Sequence, residues 1–198
     1  MSYHKFSNLR EKFSADLTSK IMQGIEDKDW LNLPCNCSSA SKRSNGECLY
    51  QGKCRNKTLI YEVKCKITGQ AYIGKTQRNL KVRIGEHITS AIKVIQTGRR
   101  LYGDNWKGSG GYDRSTALSK YLANLCRDCT DPDQVRKRIR ELIEVNIVWQ
   151  GNRIQCMKTA CTLVCKLCMA ERLEIYSRWR KDKQKLLNNR SKIFGSCT

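Results

Sequence analysis

The sequence predicts an α+β fold: a small antiparallel sheet of about three strands flanked by helices, preceded by a cysteine-rich appendage. Three observations predict it. Two stretches alternate apolar and polar residues with the period of a half-buried strand. Other stretches repeat apolar residues every three or four positions, which is the period of a helix. Between residues 34 and 57, Cys35-Asn36-Cys37, Cys48 and Cys54 stand among Ser, Asn, Gly, Lys and Arg, with almost nothing apolar to fold around.

The chain divides into three parts on these grounds. Residues 1–33 form a helical or linker segment, residues 34–57 the cysteine-rich piece, and residues 58–198 the main domain, with inserted helices at about 96–142. The first part holds one amphipathic helix, with Leu9, Phe13, Leu17 and Ile21 spaced four apart. The second is too small to fold without a metal or a crosslink. Four thiolates in such a segment fit one tetrahedral structural zinc ion on Cys35, Cys37, Cys48 and Cys54.

Residues 58–74 read as a hairpin. Tyr61, Val63, Cys65 and Ile67 alternate with Glu62, Lys64 and Lys66, and Thr68-Gly69 supplies the turn. With those two residues as the whole loop, Cys65 lies opposite Tyr72. Tyr61, Cys65 and Tyr72 then share one face, and a slip of one residue would part the tyrosines. Residues 77–97 form a helix with Leu80, Ile84, Ile88, Ala91 and Ile95 as its buried stripe and Gly98 as its stop. Arg83 and His87, four apart, ride together at the edge of that stripe.

Residues 99–113 are rich in Gly, Tyr and Asp and read as a loop. Ser115 caps a helix bearing Leu118, Leu122 and Leu125. Asp131-Pro132 opens a short, very basic helix that ends near Leu142. Val145, Ile147 and Trp149 alternate as the third strand. Residues 161–180 form the last long helix, with Leu163, Leu167, Glu171 and Ile175 on one stripe. A carboxylate there needs a cation, either a divalent metal or an arginine. Residues 181–198 are a basic tail with Asn188, Asn189 and Cys197.

Thirty-eight Lys and Arg against eighteen Asp and Glu leave a formal charge of +20. An enzyme of small neutral metabolites has no need of that excess, whereas a polyanion such as nucleic acid attracts it. No apolar run reaches the roughly 18 residues that would span a bilayer, and the polar start is not a signal peptide. The expected location is intracellular and nuclear, without a membrane partner. Twelve cysteines without a signal peptide favour metal binding over disulfides, Cys65 being read as a buried apolar residue.

The ordered series Tyr61, Tyr72-Ile73-Gly74, Arg83, His87, Glu171 and Asn188 resembles the GIY-YIG nuclease superfamily. More narrowly, the chain is similar to the endonuclease domain of Penelope-like retroelements. That likeness is carried by the four cysteines before the hairpin, Tyr72-Ile73-Gly74-Lys75-Thr76, Cys165-Lys166-Leu167-Cys168-Met169-Ala170-Glu171 and Leu186-Leu187-Asn188-Asn189-Arg190-Ser191. Ser2-Tyr3-His4 with Asn8-Leu9 looks like the stretch that joins a reverse transcriptase to the nuclease. The likeness is weakest at about residues 96–142. Leu59 stands where the family has the Gly of its first motif, Lys192 where relatives often carry an acid, and a terminal Cys-x-His is cut short at Cys197.

The resemblance implies DNA strand nicking by metal-dependent phosphodiester hydrolysis, for target-primed insertion of a retroelement. It implies Mg²⁺ (or Mn²⁺) on Glu171, with Glu174 as the competing carboxylate. Tyr61 would take a proton from the attacking water, and Arg83 would brace the phosphate. His87 would relay a proton or hold a phosphate oxygen, while Tyr72 and Asn188 would position substrate and phenols. The spacing of Cys165-x-x-Cys168 suits a metal pair that would join Cys161 or Cys197 in a second zinc site, and Cys126-x-x-Cys129 is a third metal candidate. The expected partners are double-stranded DNA, element RNA and an upstream reverse transcriptase region. The rival readings are a non-catalytic, zinc-containing nucleic-acid-binding module and a zinc-stabilised protein-interaction domain.

Overall fold

Strand alternation in the hairpin produces β1 (Leu59–Cys65) and β2 (Ala71–Thr76), paired antiparallel. The computed structural model describes residues 34–39, 42–103, 106, 115–151 and 166–188, so the helix expected within residues 1–33 lies outside the described residues. The hairpin loop is longer than a two-residue turn. Gly69 N–H donates to the Cys65 carbonyl at 2.9 Å, and Cys65 N–H donates to Gln70 O at 2.8 Å. Residues 66–69 therefore form the loop, with Gly69 at φ +71° where a side chain would be strained. This places Val63, not Cys65, opposite Tyr72. The register moves by two residues, an even shift, so Tyr61 and Tyr72 still share a face.

β3 (Ile143–Gln150) pairs antiparallel with the other side of β1, giving the order β2-β1-β3. Ile60 faces Trp149 and Tyr61 faces Ile147, so Val148 is an extra residue and the strand bulges beside Tyr61. The sheet has two covered faces. On one, Tyr61, Val63, Tyr72 and Val145 pack under α1 (Leu80–Tyr102), α2 (Ala117–Leu125) and α3 (Pro132–Leu142). On the other, Ile60, Ile73 and Trp149 pack under Leu167, Met169, Ala170 and Leu173 of α4 (Lys166–Lys181). Each fully buried Ile or Leu of these faces contributes about 1.5–3 kcal/mol.

Asp131 caps α3 as expected, accepting from Asp133 and Gln134 N–H at 3.1 and 2.9 Å. Two other helix boundaries depart from expectation. α1 does not stop at Gly98 but runs to Tyr102, with Gly103 at φ +57° beyond it. Gly98 faces the Trp106 indole, and any Cβ there would collide with the ring. The glycine makes room for tryptophan rather than ending the helix. At α2 the cap is Thr116, not Ser115; its hydroxyl accepts from Ser119 N–H at 3.1 Å.

The outer edge of β2 is sealed by residues that follow a 3-10 turn at Lys183–Lys185. Leu186 bridges Ala71 in parallel, and Leu187 N–H donates to Ala71 O at 2.8 Å. The appendage is also fastened down: Leu49, Tyr50 and Cys54 belong to the main core, although the sequence shows little that is apolar there. Among the described residues no helix is long and apolar enough to cross a membrane.

Candidate active site

The Tyr61 hydroxyl is the hub of the α1 side of the sheet. It lies 2.8 Å from His87 Nε2 and accepts from Arg83 Nε–H at 3.3 Å. Helical spacing explains the pair: Arg83 and His87 stand one turn apart on α1, which packs on the face of the sheet that carries Tyr61. His87 is buried, and its Nδ1 lies 3.0 Å from Thr116 Oγ1 at the start of α2. Arg83 is steadied by Glu86 at 3.0 Å, and Glu86 also pairs with Arg78. Tyr72 completes the group, its ring 6.5 Å from Tyr61 and 5.6 Å from His87.

Burial dominates the electrostatics of both phenols. It drives the Tyr61 phenol far above its ordinary value, with Tyr72 adding to the effect and Arg83 opposing it. Tyr72 is pushed up to about 12, first by burial and then by the charge of Glu171, with Arg83 again opposing. Both tyrosines are therefore neutral at physiological pH. Glu171 lies on α4, which packs on the opposite face of the sheet, yet its charge raises both phenols. Its carboxylate is buried and meets Lys75 Nζ at 3.3 Å. The cation beside it is thus a lysine, not an arginine. Glu174 is engaged elsewhere: Arg178 holds it at 2.8 Å and reaches Glu62 at 3.3 Å.

Asn188 reaches neither phenol through its amide. Its Oδ1 accepts from Ile73 N–H at 2.7 Å and its Nδ2 donates to Ile73 O at 2.8 Å. Both ends of the amide clamp the outer edge of β2 between the residues Tyr72 and Gly74. Gly74 itself faces Tyr61 across the hairpin, and a Cβ there would sit 2.5 Å from the phenol carbon and oxygen. The atoms met are all in the Tyr61 side chain, so Gly74→Ala is expected to displace the ring at a cost of about 1–3 kcal/mol. A thermal melt would show the loss, and an unchanged Tyr61 ring environment by NMR would refute it.

The sequence did not single out Lys75, Thr116, Glu86 or the role of Gly74. Three of them carried a signal. Lys75 follows Gly74, so strand alternation puts it on the α4 face; Glu86 stands three after Arg83 on a helix; Thr116 begins the helix after the loop.

The four sulfurs of Cys35, Cys37, Cys48 and Cys54 lie within 4.8 Å of one another. Cys37 Sγ is 3.8 Å from Cys48 Sγ, and Cys54 Sγ is 3.6 Å from Cys35 Sγ. Sulfurs at about 2.3 Å around one tetrahedral zinc ion stand about 3.8 Å apart, so the cluster can hold that ion. Among the described residues no other group of three or more His, Cys, Asp or Glu side chains converges in this way. Cys126 and Cys129 are buried in the main core, where Arg138 donates to Cys129 Sγ at 3.7 Å. Cys168, on the buried side of α4, is disulfide-bonded, with Lys75 Nζ 3.1 Å from its sulfur. Cys161, Cys165 and Cys197 lie outside the described residues.

A three-stranded antiparallel sheet between helices carries on its central strand the buried Tyr61, joined to the buried His87 and the half-buried Arg83. A GIY-YIG catalytic domain is present: the family model for that domain matches residues 57–114. The match spans β1, β2 and α1 and so includes Tyr61, Tyr72, Arg83 and His87, while Glu171 and Asn188 lie beyond it. Neither the curated proteins nor the solved structures compared with the chain include a match.

Proposed function

We propose that this protein is a DNA endonuclease that hydrolyses a phosphodiester with one divalent cation, nicking a strand to expose a 3′ hydroxyl for retroelement insertion. The observation that carries the reading is the Tyr61 hydroxyl, bonded by both Arg83 and His87 on the family-matched part of the chain. A buried phenol is a poor base by itself, and His87 supplies what it lacks. As Tyr61 takes a proton from the attacking water, its own proton passes to His87 Nε2, while Thr116 fixes the ring through Nδ1. Arg83 spends two of its five N–H donors on Tyr61 and Glu86. The others face the phosphate as negative charge builds.

Glu171 is the hard oxygen donor for the cation, and a single buried carboxylate fits an ion that keeps most of its water, as Mg²⁺ does. Such an ion would neutralise the phosphate and polarise its P–O bonds. Lys75 neutralises the same carboxylate in this structure and would swing toward a phosphate oxygen. The +20 charge supports double-stranded DNA as the partner. The retroelement assignment rests on the order of motifs and on the cysteine segment before the hairpin, and it carries a nuclear location and an upstream reverse transcriptase with it.

The test is supercoiled plasmid incubated with protein, with and without Mg²⁺. Open circles that form only with the cation support the endonuclease. Salt-sensitive binding with intact plasmid under both conditions would instead establish the non-catalytic module.

A further inference from the structure

The four-cysteine centre and the helix that bears Arg83 and His87 are joined through backbone. α1 starts without a cap of its own: Asn79 makes no side-chain cap bond, and the first turn has no acidic residue. The appendage supplies the missing acceptors. Leu80 N–H donates to the Asn56 carbonyl at 2.9 Å, and Lys81 N–H donates to the Cys54 carbonyl at 3.0 Å. Cys54 is therefore two-ended, its sulfur in the tetrahedral cluster and its carbonyl on the helix. Asn56 is held as well, its Nδ2 donating to Gln150 Oε1 of β3 at 3.1 Å.

The geometry beyond that joint is short and stiff. Arg83 lies two residues past Lys81 and His87 six, about 3 and 9 Å along a helix rising 1.5 Å per residue. The bonds those residues make to Tyr61 are 3.3 and 2.8 Å. A drift of about 1 Å in the start of α1 takes the longer bond out of hydrogen-bond range. Misplacement on that scale costs catalysis up to roughly a hundredfold.

We propose that the four-cysteine centre is a positioning element of the nuclease site. With zinc bound, it fixes the Cys54 and Asn56 carbonyls, and these set α1 so that Arg83 and His87 meet Tyr61. Leu49 and Tyr50 keep the appendage docked in the main core. Loss of the metal therefore slackens the cap without dissolving the sheet. Only the kinetic part of this proposal rests on the endonuclease reading.

The full chain would be compared zinc-loaded, zinc-stripped by a chelator and zinc-restored, beside Cys35→Ser, which removes the exposed ligand. On stripping, amide exchange at Leu80 and Lys81 is expected to accelerate at least tenfold while β1 and β3 amides keep their protection. The Tyr61 Cζ resonance shifts, and kcat for nicking falls at least tenfold with KM within threefold. Restored zinc reverses all of these, and Cys35→Ser copies the stripped state. An unmoved Tyr61 resonance in the stripped wild type overturns the proposal. So does collapse of protection across the sheet, which would make the metal a support of the fold alone. Absence of nicking by the loaded protein refutes the endonuclease reading instead, and the exchange and resonance measurements still decide the coupling.

Discussion

Glu171→Gln will leave plasmid binding within a few-fold of wild type and lower the nicking rate about a thousandfold or more. The size follows from what the carboxylate is asked to supply: a cation at the phosphate is worth several kcal/mol, and each 1.36 kcal/mol is a tenfold change in rate. Glutamine keeps the volume of a buried side chain and removes only its charge. Lys75 then loses its 3.3 Å partner, at a cost in stability that a melt will register. An internal check comes from Tyr72. Glu171 helps hold that phenol up at about 12, so loss of the charge moves its titration downward. A variant that still nicks within tenfold of wild type would remove Glu171 from the mechanism and return attention to Glu174, which is bound to Arg178.

Tyr61→Phe is expected to slow nicking by roughly 10²–10⁴-fold, the range for a positioned acid–base group. The ring stays, so packing against Gly74 is preserved. What vanishes is the oxygen that joins Arg83 to His87. The buried His87 Nε2 and the half-buried Arg83 Nε are left facing a ring C–H, which costs about 1–3 kcal/mol of stability. Rate and stability must therefore be measured together. A fall in rate that tracks the melting temperature, and recovers on cooling, would make Tyr61 a packing residue. A full loss of rate in a protein that remains folded at the assay temperature supports its chemical role.

Some of this was legible in the chain because the signal is local. Strand alternation put Tyr61 and Tyr72 on one face, and they stayed there because the shift from a two-residue loop to residues 66–69 is even. Asp131-Pro132 marked a helix start that the backbone adopts. The four cysteines announced a metal-sized cluster without help from their surroundings. What stayed hidden depends on partners distant in sequence. Gly98 reads as a helix stop until Trp106 is seen against it. Asn188 reads as a residue near the phenols, and it is the amide clamp of Ile73. The burial of Leu49 and Tyr50 under the main domain follows from packing that no window of the sequence contains.

That clamp spans 115 positions along the chain. During synthesis the hairpin and its long helix emerge early, but the exposed flank of β2 must wait for the ribosome to deliver residue 188. Until then its peptide groups are an open template for any passing extended polypeptide. A product broken off before that asparagine leaves the edge of β2 open and sticky.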